Sequence, residues 1–317
     1  MAGAGPVGSG LTGPSGLGLI GPAGLGLIEP AEAGSQDASK TIRLGLLPDA
    51  DSFPFIVARE YGFFDEQGVT VELIPFQNAI ERDGALHSGA IDGAVSDILA
   101  CAFARAGGID VRITSVTDGR YAILASKTSK VRSLADLKGA SIGLSTNTII
   151  EYVTDRLLSR AQIPATAVNK VAIPKIPVRL QMLDAGKITA ACLPEPLATV
   201  AVISGARLIA TSDELGIAPG VVIFRPLAIK DKAAEIRKLY AAYTKAVEKI
   251  NADPNAVRDI LVQKAGFPAS IRDAFVFPKY RRPVLPSKDE VETVVKWLKD
   301  KGLVKKDLSY EDMCREP

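Results

Sequence analysis

The chain has one histidine, one tryptophan and three cysteines in 317 residues, and a formal net charge of only +2. Each scarcity removes a class of function. Cys101, Cys192 and Cys314 are odd in number and far apart, which is neither a disulfide framework nor a metal-ligand spacing. With His87 alone beside them, a transition metal has no ligand set to draw on, and no cofactor is expected. A near-neutral charge gives nucleic acid no electrostatic footprint. After residue 40 no apolar run reaches the roughly 18 residues a membrane span requires, so this part reads as soluble. The charge runs Lys299-Asp300-Lys301 and Lys305-Lys306-Asp307 are short and read as solvated helix faces.

The first forty residues also lack something: no basic residue precedes Lys40. They are dense in Gly, Ala, Pro and Leu and contain the near-repeat GPSGLGLI–GPAGLGLI. Such a segment buries too little side chain to offset its ordering entropy, so residues 1–40 are expected to be disordered. Two readings stay open. The apolar stretch 17–28 followed by Ala31-Glu32-Ala33 has the form of a degenerate signal peptide; the missing positive start and the prolines suit a plain linker instead. Gly3-Gly5-Gly8 and Gly16-Gly18-Gly21 match GxGxxG, but no strand precedes either, so neither is a nucleotide fingerprint.

What is present begins at residue 41. TIRLGLLPDADSFPFIVAREYGFF is an apolar strand, a polar loop and an amphipathic helix, the first half of a βαβ unit. Strand patterns follow at 69–75, 92–96, 111–116 and 121–126, with helices at 79–88 and 97–106 between them. A second series starts after the one-turn element 134–139. It has strands at 141–144, 168–173, 188–193 and 207–210 alternating with helices at 149–159 and 178–185. A strand at 221–224 precedes a helical tail, 231–251, 255–264 and 289–301, predicted to pack back on the first sheet. The expected fold is α/β with two hinged lobes around a central cleft. Lobe 1 takes residues 41–126 and 221–317, lobe 2 takes 127–220, and the joining strands are those near 121–126 and 221–224.

Five stretches in this order carry a resemblance: AREYGFF (58–64), VTVEL (69–73), SGAIDGAVSD (88–97), LADLKGASIG (134–143) and AGKITAACLPEP (185–196). The chain resembles the NMT1/THI5-like group of type II periplasmic solute-binding proteins that serve ABC importers, over nearly all of residues 41–310. The resemblance implies a small-molecule ligand, an ABC transporter permease as membrane partner, a monomer, and a periplasmic or extracytoplasmic location. The implied ligand classes are sulfonates, nitrate, thiamine-pyrimidine precursors, riboflavin or other small heterocycles. The same group resembles a pyrimidine synthase that uses a cysteine-rich iron motif and an active histidine. Clustered cysteines are absent here, so a binding protein is expected rather than an enzyme of pyrimidine or thiamine-precursor synthesis.

In open α/β sheets ligands lie at the carboxyl ends of strands. That rule selects Asp49, Asp51, Ser52, Asn78, Ser96, Asp97, Asp118 and Tyr121 in the first lobe, and Ser145, Thr146, Asn147 and Glu195 in the second. Asp97, Ser96 and the stretch 145–148 serve equally well as helix caps, and Asp118 as a turn residue. Arg120 and Arg179 are the chief basic residues nearby. The acidic balance suits an amine, an amidine or an aminopyrimidine edge, which Phe53, Phe55, Phe76, Tyr121 or Tyr152 would stack upon. A sulfonate or nitrate would require an inward arginine or lysine.

Overall fold

The computed structural model describes residues 40–316, so the reading of the leader lies, Lys40 apart, outside the described residues. All of them belong to one compact unit. In lobe 1 the order is β1 (Ile42–Leu46), α1 (Phe53–Glu60), α2 (Phe63–Glu66), β2 (Val71–Pro75), α3 (Ala79–Ser88), β3 (Gly93–Asp97), α4 (Ile98–Ala106) and β4 (Arg112–Val116). Lobe 2 contains β5 (Tyr121–Ala125), β6 (Ser141–Leu144), α5 (Ile149–Arg160), β7 (Asn169–Ala172), α6 (Ile176–Asp184), β8 (Ala190–Pro194), α7 (Leu197–Ile203) and β9 (Arg207–Thr211). The chain returns through β10 (Gly220–Phe224). It ends in α8 (Pro226–Asp231), α9 (Ala233–Ala252), α10 (Arg258–Gln263), α11 (Lys288–Asp300) and α12 (Tyr310–Met313).

Each lobe holds a five-stranded sheet, ordered β2-β1-β3-β10-β4 in the first and β7-β6-β8-β5-β9 in the second. In each, three strands run parallel, as βαβ crossovers dictate, and a fourth enters antiparallel beside the third. The central strands β3, β5, β8 and β10 are buried along their whole length, which is why they read as continuous apolar runs. The tail returns to lobe 1 as expected: α9 packs on α1 and α2, and α11 on α4. Local chemistry fixes the helix starts. Asn78 caps α3 through Glu81 N at 2.9 Å, and Ser287 with Glu290 forms a capping box on α11.

One boundary moves. The strand at 121–125, read from the sequence as part of lobe 1, lies in the second sheet between β8 and β9. A short apolar strand carries no mark of which sheet it joins; its partners decide. The chain therefore crosses between lobes at residues 117–120 and returns at 212–219.

The two sheets are built alike down to side chains. Arg82-x3-Leu86-x2-Gly89-x-Ile91-x2-Ala94 recurs as Arg179-x3-Leu183-x2-Gly186-x-Ile188-x2-Ala191. In both lobes the arginine is buried and lies beside a glycine of a central parallel strand, β1 in lobe 1 and β6 in lobe 2. A Cβ on Gly45 would stand 2.7 Å from Ile91 Cδ1 and 3.4 Å from Arg82 Cγ; on Gly143 it would stand 2.6 Å from Ile188 Cδ1 and 3.6 Å from Arg179 Cγ. Gly45→Val and Gly143→Val are each expected to lower stability by about 1–3 kcal/mol through overpacking, read as a drop in the urea midpoint. A neutral effect at either position would break the equivalence of the lobes.

Candidate ligand cleft

Four strand-to-helix loops meet between the lobes. The loop after β1 is locked by its own side chains: Ser52 N donates to Asp49 Oδ1 at 2.9 Å and Leu47 N to Ser52 Oγ at 3.2 Å. After β3, Asp97 caps α4 by accepting from Ala100 N at 2.8 Å. After β6, Thr148 caps α5 by accepting from Ile150 N at 3.2 Å. After β8, Glu195 Oε2 accepts from Thr199 N and Oγ1 at 3.0 and 2.8 Å. The loops also join across the lobes: Ala50 N donates to Glu195 O at 2.7 Å and Ile176 N to Gln77 O at 3.2 Å.

Between them lies a cavity of about 30 Å³, room for one or two water molecules. Its polar lining is Asp49, Asp51, Arg82, Ser96, Asp97, Tyr121, Ser145 and Thr148; Leu47, Val95, Ile149, Ile150, Ile176 and Pro194 supply most of the apolar wall. Larger grooves also run between the lobes: one of about 780 Å³ lies between α5 and α11, and one of about 300 Å³ is lined by Leu47, Phe76 and Gln77 of lobe 1 and Pro177 of lobe 2.

Of the residues expected from the sequence, Asp49, Asp51, Ser96, Asp97, Tyr121 and Ser145 come together here. Ser52, Asn78, Thr146, Asn147 and Glu195 do not line the cavity. Ser52 and Asn78 are spent on the backbone of their own loops, and Thr146 is exposed. Asn147 has φ 59° and donates its N–H to Glu151 Oε2 at 2.7 Å, while Glu195 caps α7. The aromatic candidates other than Tyr121 belong to packing. Phe53 meets Phe277, Phe55 meets Tyr243, Tyr152 meets Trp297 edge-on, and Phe76 packs beside Gly45. Arg120 pairs with Asp213 at 3.3 Å, Asp118 with Arg281 at 2.6 Å, and Arg179 sits behind Ser145, donating to its Oγ at 2.7 Å.

Sequence reading missed Arg82, which lines the cavity with its guanidinium held by Asp83 at 2.8 Å and by Val95 O at 3.0 Å. The repeat it shares with Arg179 was the available signal.

Asp51 differs from its neighbours. Its Oδ1 accepts from Thr117 Oγ1 at 2.5 Å and Gly119 N at 2.8 Å, and its Oδ2 from Tyr121 OH at 2.8 Å. All three donors belong to the first crossing between the lobes or its end. Burial raises the pKa of Asp51 against these bonds. Burial, reinforced by Asp51, pushes Asp49 up to about 8. Asp97 is raised to about 6 by burial, with Arg82 and the α4 backbone opposing. Cys192 lies in β8 outside the cavity lining, and burial pushes its thiol up to about 11, so it is no nucleophile at neutral pH. Among the described residues no group of three His, Cys, Asp or Glu side chains is placed to hold a metal ion, and no helix is long and apolar enough to cross a membrane.

The fold is that of the two-lobe periplasmic binding proteins, and the chain belongs to the NMT1/THI5 like family, whose model matches residues 49–257. No curated protein sequence matches it. Among solved structures it is similar to the alkanesulfonate-binding protein SsuA from Xanthomonas axonopodis pv. citri, with a TM-score of 0.78 at 17% identity over 88% of this chain and 99% of that one. The periplasmic aliphatic sulphonate binding protein SsuA from Escherichia coli gives 0.71 at 17% identity over 88% and 92%. The periplasmic nitrate-binding protein NrtA from Synechocystis PCC 6803 gives 0.67 at 14% over 86% and 84%. The fold also occurs in the desulfurization enzyme DSZB, at 0.65 and 17% over 87% and 96%.

Two outcomes follow from the buried acids. Asp51→Ala leaves three buried donors without their acceptor and is expected to cost about 2–4 kcal/mol in urea unfolding, with no loss on Thr146→Ala. Asp49 has its pKa raised from 3.8 to about 8, so between those pH values the folded state keeps a proton that the unfolded chain has released. Stability therefore falls as pH rises through that window, and Asp49→Asn removes this slope. Asp97 has the same sign up to about pH 6 but is common to both proteins, so the melting temperatures of wild type and Asp49→Asn should separate progressively from about pH 4 to 8. Parallel curves there would contradict the assignment.

Proposed function

We propose that this chain is the solute-binding protein of an ABC importer, acting as a monomer outside the cytoplasm. Its two lobes close on one small organic molecule and present it to a membrane permease. The carrying observation is the cleft itself: two lobes of equal strand order, joined by two crossings, whose strand-end loops face one another across a buried cavity. Family membership and the sulfonate- and nitrate-binding proteins of similar fold support the same reading.

A second reading, an enzyme acting on a pyrimidine or related ring, draws support from one feature. Asp49, a buried carboxyl with its pKa raised to about 8, has the property of a general acid or base. Against it, neither a histidine nor a cysteine lines the cavity. A recovered ligand of unchanged mass supports binding; a product of altered mass supports the enzyme.

Closure has an internal reporter. Trp297, the only tryptophan, lies on α11, which packs on lobe 1, and its ring meets Tyr152 of lobe 2 at 5.5 Å. Beside it Lys301 bridges Glu151 and Asp155 of α5, at 2.5 and 3.2 Å. Ligand addition is expected to change Trp297 emission saturably with 1:1 stoichiometry. Lys301→Ala, which removes this interlobe bridge, should weaken apparent affinity a few-fold by opening the free protein. Emission unmoved by a ligand that calorimetry shows to bind would contradict closure.

A further inference from the structure

On one side of the cleft the lobes meet through charge. Glu151 and Asp155, one turn apart on α5, are both buried. Lys170 of β7 lies 2.8 Å from Glu151 Oε1 and 2.5 Å from Asp155 Oδ1. Lys301, at the end of α11, lies 2.5 Å from Glu151 Oε1 and 3.2 Å from Asp155 Oδ2. Lys170 belongs to the same lobe as the two acids, so the pair keeps one counter-charge whatever lobe 1 does. Lys301 is the contribution of lobe 1. The neighbouring cations are engaged elsewhere, Lys296 with Asp300 of its own helix and Arg156 over the Tyr152 ring at 5.9 Å. The bonds that join the strand-end loops, Ala50 N to Glu195 O and Ile176 N to Gln77 O, run between backbones and carry no net charge.

Glu151 has a second task. Its other oxygen, Oε2, accepts from Asn147 N at 2.7 Å. Asn147 has φ 59°, in the left-handed region that a side chain other than glycine rarely adopts. It stands between Ser145 and Thr148, both in the cavity lining and themselves joined by Thr148 Oγ1 donating to Ser145 O at 2.9 Å. A single carboxylate thus holds the lysine of lobe 1 on one oxygen and the backbone of the cleft loop on the other. Burial opposes its charge, but Asn147 N and the two lysines hold the Glu151 carboxyl below the usual range. The groove of about 780 Å³, lined by Asp155, Trp297 and Lys301, opens beside the cluster, so dissolved ions reach it.

Deepening the binding-protein reading, we propose that Glu151 is a positioning residue and that its pairing with Lys301 is a salt-sensitive latch, which sets the closure of the lobes and the shape of the loop 145–148 together. With Lys301 in place the carboxylate is fixed at both ends, and its charge-assisted bond holds the Asn147 turn against the cavity. Screening or removing Lys301 leaves Glu151 to Lys170, frees α11 from α5 and loosens that turn. Lys170 keeps the acids compensated meanwhile, so the latch opens without unfolding lobe 2.

The test needs no ligand. Amide exchange at Asn147, followed by NMR on the full chain, is measured beside acrylamide quenching of Trp297, whose ring meets Tyr152 across the same contact. NaCl is raised from about 10 mM to about 1 M, which shortens the screening length from about 30 Å to about 3 Å. In the wild type both readouts are expected to rise about threefold or more with salt. Lys301→Met should show the raised values already at low salt and respond little to more. Lys301→Arg should restore the wild-type response, and Lys296→Met, earlier on the same helix, should behave as wild type. Exchange at Val222 and Ile223 in the buried strand β10, unchanged throughout, separates an opened latch from a lost fold. Wild-type readouts unmoved by salt would overturn the inference, and that arm needs no variant to fold. A folded Lys301→Met that matches wild type, or that keeps the full salt response, would overturn it too. Each of these outcomes leaves the binding-protein reading standing, since that reading fails on a different result, a carried compound that changes mass.

Discussion

The carboxylate of Asp51 is the contact on which the arrangement of the lobes depends. It sits in the first strand-to-helix loop, and its three donors come from Thr117, Gly119 and Tyr121, where the chain passes from one sheet to the other. The return crossing closes on the same point: Thr117 N donates to Gly220 O at 2.9 Å, and Tyr121 N to Ser212 Oγ at 3.1 Å. Only residues without a side chain fit there. A Cβ on Gly119 would fall 1.7 Å from Asp51 Oδ2, and one on Gly220 would fall 2.5 Å from Asp51 Oδ1. One buried acid thus joins the loop that lines the cavity to both crossings between the sheets. It is a structural acid more than a ligand contact, because each of its oxygens is already occupied.

Around that pin the molecule is nearly a repeat of itself. Equal strand orders, a glycine in β1 and in β6 and an arginine laid over each make two matching halves. The contacts facing the cavity are not matched. Lobe 1 contributes Asp49, Ser96 and Asp97, whereas lobe 2 contributes Ser145, Thr148 and the apolar Ile149, Ile150 and Ile176. Lobe 1 therefore offers most of the polar lining and lobe 2 mostly an apolar cover. The ion cluster of Glu151, Asp155, Lys170 and Lys301 ties this cover to the end of α11. Through Asn147 N, Glu151 also reaches the loop that lines the cleft.

Most of the architecture was legible in the sequence because α/β alternation leaves a plain trace: apolar runs of strand length, amphipathic helices and glycines between them. The loops at strand ends were legible too, and six of the twelve residues singled out there line the cavity. What failed has a common cause. Ser52, Asn78 and Glu195 are polar residues at strand ends, where capping the backbone competes with facing a ligand, and sequence alone does not separate the two uses. The sheet membership of residues 121–125 was hidden because β-pairing is non-local. Arg82 was not singled out from the sequence; only its counterpart in the second lobe, at the same distance from the same Leu-Gly-Ile pattern, marks it as buried.

The central claim is that the cleft holds one small molecule and releases it unchanged. Native mass spectrometry of the protein purified without denaturation, followed by release and mass measurement of whatever it carries, tests this directly. The account predicts a single non-covalent adduct, lost on unfolding, whose mass stays constant on prolonged incubation. A released compound that changes mass in the presence of the protein would contradict it.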